Sequence, residues 1–211
     1  MWHQKEGALK YHKIETVFER DEKFKVIPWR YRDRRVEALA NLEWAWTEKL
    51  DGTNIRISWD GQGVKFAGKT DDAMIHPQLL GHLQARYSNE VMSGLFGDAP
   101  GTLYGEGVGA KIQRGGDYCD GHSFVLFDVW RGVWLERDAV NDVAVSLGIP
   151  SAPVVLRGSI ESAVAYVRGN PQSAISVRPR PMEGLVGRPP VELQDKQGRR
   201  IIVKIKARDF A

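Results

Sequence analysis

The sequence predicts an α+β fold with mainly antiparallel sheets. Strand-like stretches outnumber helical ones, strands and helices do not alternate regularly, and a short polar turn joins two strands as a hairpin. In "NIRISW" (Asn54 to Trp59), Ile55 and Ile57 fall on one side. "DGQG" then turns the chain into "VKFAG". "TLYGE", "SFVLFDVW", "GVWLE", "EGLVG" and "RIIVKIK" are the remaining predicted strands, with Arg131–Gly132 as the turn between two of them. Three segments read as helices. Leu79, Leu80, Leu83, Tyr87 and Val91 keep helical spacing through "PQLLGHLQARYSNEVMS". Val140, Val143, Ala144 and Leu147 form one stripe, closed by Gly148 at the C′ position with Pro150 beyond it. "SIESAVAYVRGNP" ends in the same way at Gly169 and Pro171. Proline-rich Asn170–Pro181 reads as a surface loop.

A chain of 211 residues implies a single domain over 1–211, large enough to bury a core. There is no apolar run long enough for a bilayer and no charged-then-apolar leader, so no membrane partner is expected. The sole cysteine, Cys119, cannot form an internal disulfide, which suits a reducing cytoplasm. A net charge of +3 and a pI near 9.0 permit an anionic partner without requiring one. The cations cluster in "KFKVIPWRYRDRR" (Lys23 to Arg35) around Trp29 and Tyr31. That interleaving suits a phosphate backbone with stacked bases, and equally a solvated loop whose arginines lie over aromatic surface.

Five stretches carry candidate chemistry. In "TEKLDGTNIRISW", Lys49 stands between Glu48 and Asp51 just before a strand. A lysine attacks as the neutral amine, so a nucleophile needs desolvation or neighbouring positive charge; the plain alternative is a surface ion pair. In "RIIVKIK", Lys204 and Lys206 share a strand face with Ile202, while Ile201, Val203 and Ile205 share the other. Two adjacent cations suit a triphosphate, or else make a sheet edge soluble. In "LYGEGVGAKIQRGGDY", Tyr104 and Glu106 share a face ahead of a glycine-rich loop, where Glu106 can accept from ribose hydroxyls. Phe127, beside Asp128, is placed to stack on a base or simply to fill the core. Glu183 can hold a divalent metal beside phosphates, or pair with a lysine.

Taken in order, "EKLDG", "FAGKTD", "YGEG", "FVLFDVW", "EGLVGR" and "VKIK" resemble the motif series of the covalent nucleotidyltransferases, the superfamily of DNA ligases, RNA ligases and mRNA capping enzymes. Five residues after the lysine, where DNA ligases and capping enzymes usually carry arginine, stands Asn54. This resembles the RNA ligase branch. "KIETVFERDEKFKVI", "GEGVGAKIQRGG" and "FVLFDVWRGVWLER" likewise look like small RNA ligases of bacteria and their phages.

The resemblance implies a nucleotidyltransferase fold, its sheets flanked by helices around a nucleotide pocket, with no OB-fold or other domain after "VKIKARDF". It implies an ATP-dependent RNA ligase joining 5′-phosphate and 3′-hydroxyl RNA ends through lysyl-AMP and an adenylylated RNA, with Mg²⁺ as the metal. Lys49 would be the nucleophile and Glu48 would read the adenine edge. Asp51 and Glu183 would organise the metal–phosphate region. Asn54, Arg56 and Lys69 would meet the ribose, the phosphates or the RNA end. Glu106 would bond the ribose, Phe127 would stack on adenine, and Lys204 and Lys206 would bind the α-phosphate and leaving pyrophosphate. A partner protein could assist RNA binding. A DNA-sealing enzyme, a guanylyltransferase of the capping type and an inactive nucleic-acid-binding homologue stay open as alternatives.

Overall fold

The computed structural model describes residues 10–211; residues 1–9, where a leader would begin, lie outside the described residues. The chain divides into two compact units. One unit, called central for its place in the sequence, comprises Gly52–Ser151 with described residues 10–12, and the other, called flanking because its two segments lie on either side in the sequence, comprises Lys13–Asp51 with Ala152–Ala211.

The flanking unit opens with β1 (Glu15–Thr16), β2 (Phe18–Arg20), β3 (Val26–Tyr31), α1 (Arg34–Ala38) and β4 (Trp44–Glu48). Asp33 caps α1, its side chain accepting from the Arg35 amide at 2.9 Å. The central unit follows: β5 (Thr53–Trp59), β6 (Val64–Ala67), α2 (Pro77–Arg86), α3 (Asn89–Phe96), β7 (Gly101–Gly109), β8 (His122–Trp130) and α4 (Arg137–Leu147). The chain then returns to the flanking unit as β9 (Val154–Gly158), α5 (Ile160–Arg168), β10 (Gly184–Arg188) and β11 (Val203–Lys206).

The central sheet runs β6-β5-β7-β8, antiparallel throughout. Ile55 and Ile57 of β5 are fully buried in a core with Leu79 and Leu83 of α2, Met92 and Phe96 of α3, and Val140 and Ala144 of α4. Strand alternation then sends Asn54 and Arg56 to the opposite face. The flanking sheet runs β1-β11-β10-β4-β9 and is antiparallel except where β1 meets β11. Its core joins Trp44, Trp46, Leu185, Val203 and Ile205 to Ile160, Ala163, Val164 and Val167 of α5. This is the expected mixed architecture of mainly antiparallel sheets with a few helices. Among the described residues, no helix is long and apolar enough to cross a membrane.

Four local expectations change. The single helix read through 77–93 is two, because the chain breaks at Tyr87–Ser88 and the Ser88 hydroxyl caps α3. The restart rotates the pattern, so Met92 is buried while Val91 is exposed. "GVWLE" forms one isolated bridge, Trp130 to Trp134, rather than a strand. α4 ends on Gly148 in the left-handed conformation as expected, but α5 does not repeat this: Gly169 has φ −70° and Asn170 takes the positive φ of 49°. Finally, β11 covers only Val203–Lys206 and lies between β1 and β10. An edge strand made soluble by lysines is therefore the wrong reading of Lys204 and Lys206.

Candidate active site

Three strand termini converge at one end of the flanking sheet. β4 finishes at Glu48, opposite Leu185 near the start of β10, and Gly184 lies opposite Lys206 at the end of β11. The Lys49 amide continues the ladder by donating to the Gly184 carbonyl at 2.9 Å. This register places Lys49, Glu183 and Lys206 together although they are far apart in sequence. The Lys49 Nζ donates to Glu183 Oε2 at 2.5 Å, and the two side chains remain 23% and 26% exposed, open enough for a ligand to reach them. The Ala207 amide fixes Glu183 from behind by donating to its carbonyl at 2.9 Å.

Lys206 titrates below the ordinary lysine range. Burial is the largest cause, Arg208 and Lys49 add repulsion, and Glu183 acts in the opposite direction. The unfolded chain thus binds more protons than the folded one between the lowered value and the ordinary 10.5. Stability contributed through Lys206 rises with pH across that window. In Lys206→Met this rise should disappear from denaturant midpoints measured at alkaline pH. An equally steep rise in the variant would show that Lys206 is not its source.

Gly184 is what lets the strands close here. Its φ is +154°, and a Cβ at this position would lie 2.1 Å from the Ile205 carbonyl oxygen. Gly184→Ala should cost roughly 2 kcal/mol or more in chemical denaturation, because the obstruction is backbone and cannot rotate away. A variant as stable as the parent would show that β10 and β11 can part without penalty.

Glu48 is 2% exposed. Its Oε2 accepts from the Ala174 amide at 2.8 Å, while Oε1 is buried with no protein partner. The Asn170–Pro181 segment is a loop as predicted, but it docks on Glu48. Asp51, at the chain's exit from this unit, faces Arg180 at 3.4 Å, and that arginine is itself nearly buried. Among the described residues no group of three or more His, Cys, Asp or Glu is arranged to hold a metal.

In the central unit, Asn54 of β5 lies directly opposite Glu106 of β7. Side chains paired this way have Cβ atoms about 5 Å apart. Glu106 Oε1 accepts from the Gly52 amide at 3.1 Å, and Asn54 Oδ1 is buried without a protein partner. Gly52 tolerates no side chain, since a Cβ there would lie 2.3 Å from the Gly107 carbonyl oxygen. Arg56 is fully buried. It donates to the Gly68 carbonyl at 2.9 Å and to Asp71 at 2.7 Å. It thereby secures the turn that carries Lys69, which is exposed. Phe127 is the extra residue of a β-bulge, since Tyr104 pairs with Asp128 and Gly105 with Leu126. Its half-buried ring meets the edge of Tyr11 at 5.1 Å.

The flanking unit thus gathers Lys49, Glu183 and Lys206, and the central unit gathers Asn54 and Glu106. Lys69 sits on the turn after β6, and Phe127 meets Tyr11, which also meets Tyr104, two residues before Glu106 on β7. Sequence reasoning missed Tyr11, whose hydroxyl donates to buried Asp128 at 2.8 Å and whose ring also meets Tyr104 and Trp134. It also missed Arg180. Neither lies in a periodic segment that would have drawn attention to it.

Solved structures similar to this chain include RNA ligases of Naegleria gruberi. An apo variant matches with a TM-score of 0.66 at 18% identity, over 94% of this chain and 56% of that one. A variant solved with ATP and Mn gives the same values. The ligase solved with PPi matches with a TM-score of 0.63 at 17% identity, over 99% of this chain and 63% of that one. The chain thus spans little more than half the length of these proteins. No curated protein matches it in sequence. The α+β architecture, with its five-stranded and four-stranded sheets and the small β2-β3 pair, is the fold these RNA ligases share. A family model described as RNA ligase matches residues 42–206, and the chain belongs to the RNA ligase family.

Proposed function

We propose that the protein is an ATP-dependent RNA ligase, acting in the cytoplasm as one adenylyltransferase domain over residues 1–211. The observation that carries this reading is the Lys49–Glu183 pair with Lys206 opposite Gly184, on a chain matched by the RNA ligase family model. A lysine nucleophile with neighbouring cations is what attack on a nucleotide phosphate requires.

In the first step Lys49 Nζ bonds to the α-phosphorus of ATP, the bond to the bridging oxygen breaks, and pyrophosphate leaves. An RNA 5′-phosphate oxygen then takes the AMP as the P–N bond breaks. A 3′-hydroxyl finally attacks the 5′-phosphorus and expels AMP, leaving a phosphodiester. Lys204 and Lys206 neutralise the α-phosphate and the leaving pyrophosphate. The orphaned Glu48 Oε1 suits an N–H donor such as the adenine amine. Glu106 and Asn54 suit ribose hydroxyls, Phe127 the adenine face, and Lys69 a phosphate. Arg56, with its donors on Gly68 and Asp71, positions Lys69.

The donor set suits Mg²⁺ only with phosphates completing it, as this ion is commonly bound by one or two carboxylates plus nucleotide oxygens. Asp51 and Glu183 would hold it, and it would supply charge neutralisation on the phosphates. Incubation with α-labelled ATP, followed by a panel of 5′-phosphorylated RNA and DNA ends, tests the reading. Labelled protein and sealed RNA are expected. Sealing of DNA alone, labelling only by GTP, or RNA binding without covalent AMP would each replace it.

A further inference from the structure

We propose that the flanking unit carries a docking surface for single-stranded RNA, built from β3, the start of α1 and the 195–199 turn. The identity of the polyanion rests on the ligase reading; the surface rests on three observations of its own.

The first is charge left over after pairing. A cavity of about 570 Å³ is lined by Arg32, Arg34, Arg35, Lys196 and Arg199, against only two carboxylates, Asp33 and Asp195. Both carboxylates are committed. Asp33 caps α1 and binds the Arg35 guanidinium. Asp195 accepts from Arg35 at 2.6 Å and from Arg199 at 2.7 Å, and it takes the Gln197 and Arg199 amides as well. Those bonds, the Arg199 amide foremost, hold the Asp195 carboxyl well below the usual carboxylate range. The acids therefore fix two arginines in place, whereas Arg34 and Lys196 have no ion-pair partner among the described residues, and Arg32 reaches Glu15 only at 3.7 Å.

The second is the aromatic edge of β3. Trp29 is 47% exposed, and Phe24, at the hairpin tip, is 79% exposed. Trp29 lies three residues ahead of Arg32, so by strand rise about 10 Å separates the ring's backbone from the first cavity cation. Unpaired bases stacking on an aromatic while phosphates run past cations is the usual grip on single strands. A duplex, with its bases already stacked, has no use for the ring.

The third is strain. Trp29 and Phe24 both adopt positive φ, 65° and 60°, which is costly for bulky residues. The Phe24 tip is nevertheless tightly built, with Asp21 accepting from the Lys23 and Lys25 amides and Arg20 donating to the Phe24 carbonyl. A fold that holds two aromatic residues in unfavourable conformations, with Phe24 in solvent and Trp29 half exposed while its ring rests against Phe18 at 5.3 Å, is presenting them.

The test uses the full chain and a fluorescein-labelled single-stranded RNA with a 5′-phosphate, with anisotropy read across a salt series. Arg34→Gln with Lys196→Gln should weaken binding several-fold and flatten the slope of log affinity against log salt by about 1.4, two single-strand phosphate contacts' worth. Trp29→Ala should weaken it about 5- to 100-fold. Both variants should form lysyl-AMP at the parental rate, which reports an intact fold. Unchanged affinity and slope in the charge variant overturn the surface. Unchanged affinity in Trp29→Ala overturns its preference for single strands. If Trp29→Ala misfolds, the charge variant decides. If the parent forms no lysyl-AMP while the charge variant still loses RNA, the ligase reading fails and the surface stands.

Discussion

Lys49→Ala should abolish labelling of the protein by α-labelled ATP, a loss of at least about four orders of magnitude in the adenylylation rate. On the proposed mechanism this removes the covalent nucleophile and with it the intermediate itself, so no neighbouring group can compensate. Lys49→Arg should be equally inactive, because a guanidinium keeps the charge but does not attack phosphorus. The informative contrast is with RNA supplied already adenylylated. Its sealing needs a 3′-hydroxyl and bound cations but no free lysine, so the Lys49 variants should retain much of that step. Loss of sealing as well would indicate that removing the Lys49–Glu183 contact has disturbed the site. Persistent labelling of Lys49→Ala would place the nucleophile elsewhere.

What the sequence revealed of this arrangement depended on how local each feature is. Lys204 and Lys206 were legible as a pair because strand alternation puts them on one face, and Gly148 because a left-handed helix end favours glycine. β4 was not legible as a strand. All five residues of Trp44–Glu48 are buried, so no polar face alternates with the apolar one. The α2–α3 break was hidden because Tyr87, at the end of α2, is itself buried in the core and fits the expected stripe. At the site the limit is distance along the chain. Lys49 meets Glu183 only because β10 pairs with β4, and composition and periodicity carry no information on that register. The family resemblance names both residues by motif order, and the lysine pairing of Glu183 is the plain alternative read for it. The resemblance does not reveal that Arg56 is spent on Gly68 and Asp71, or that Tyr11 lies against Phe127, since both depend on side-chain packing.

Glu183→Ala should lower lysyl-AMP formation about 100-fold or more, with little change in stability for a quarter-exposed side chain. The carboxylate has two candidate duties that cannot be performed at the same moment by the same oxygen. At 2.5 Å from Lys49 it orients the amine; beside phosphates it would hold a metal. Its backbone is tied by Ala207 and followed by Gly184, whose conformation excludes a side chain, so the choice falls to side-chain rotation rather than strand movement. Adenylylation rates measured against Mg²⁺ or Mn²⁺ concentration separate the duties. If Glu183 holds the metal, the half-saturating concentration rises in the variant and excess metal restores part of the rate. If it orients Lys49, the maximal rate falls and half-saturation stays where it was. Asp51 offers the internal comparison. Its carboxylate faces Arg180 at 3.4 Å rather than Lys49, so Asp51→Ala should alter the metal dependence without the loss that follows from freeing Lys49. Parental rates in Glu183→Ala at every metal concentration would remove the carboxylate from the chemistry and leave Lys49 to be positioned by its backbone alone.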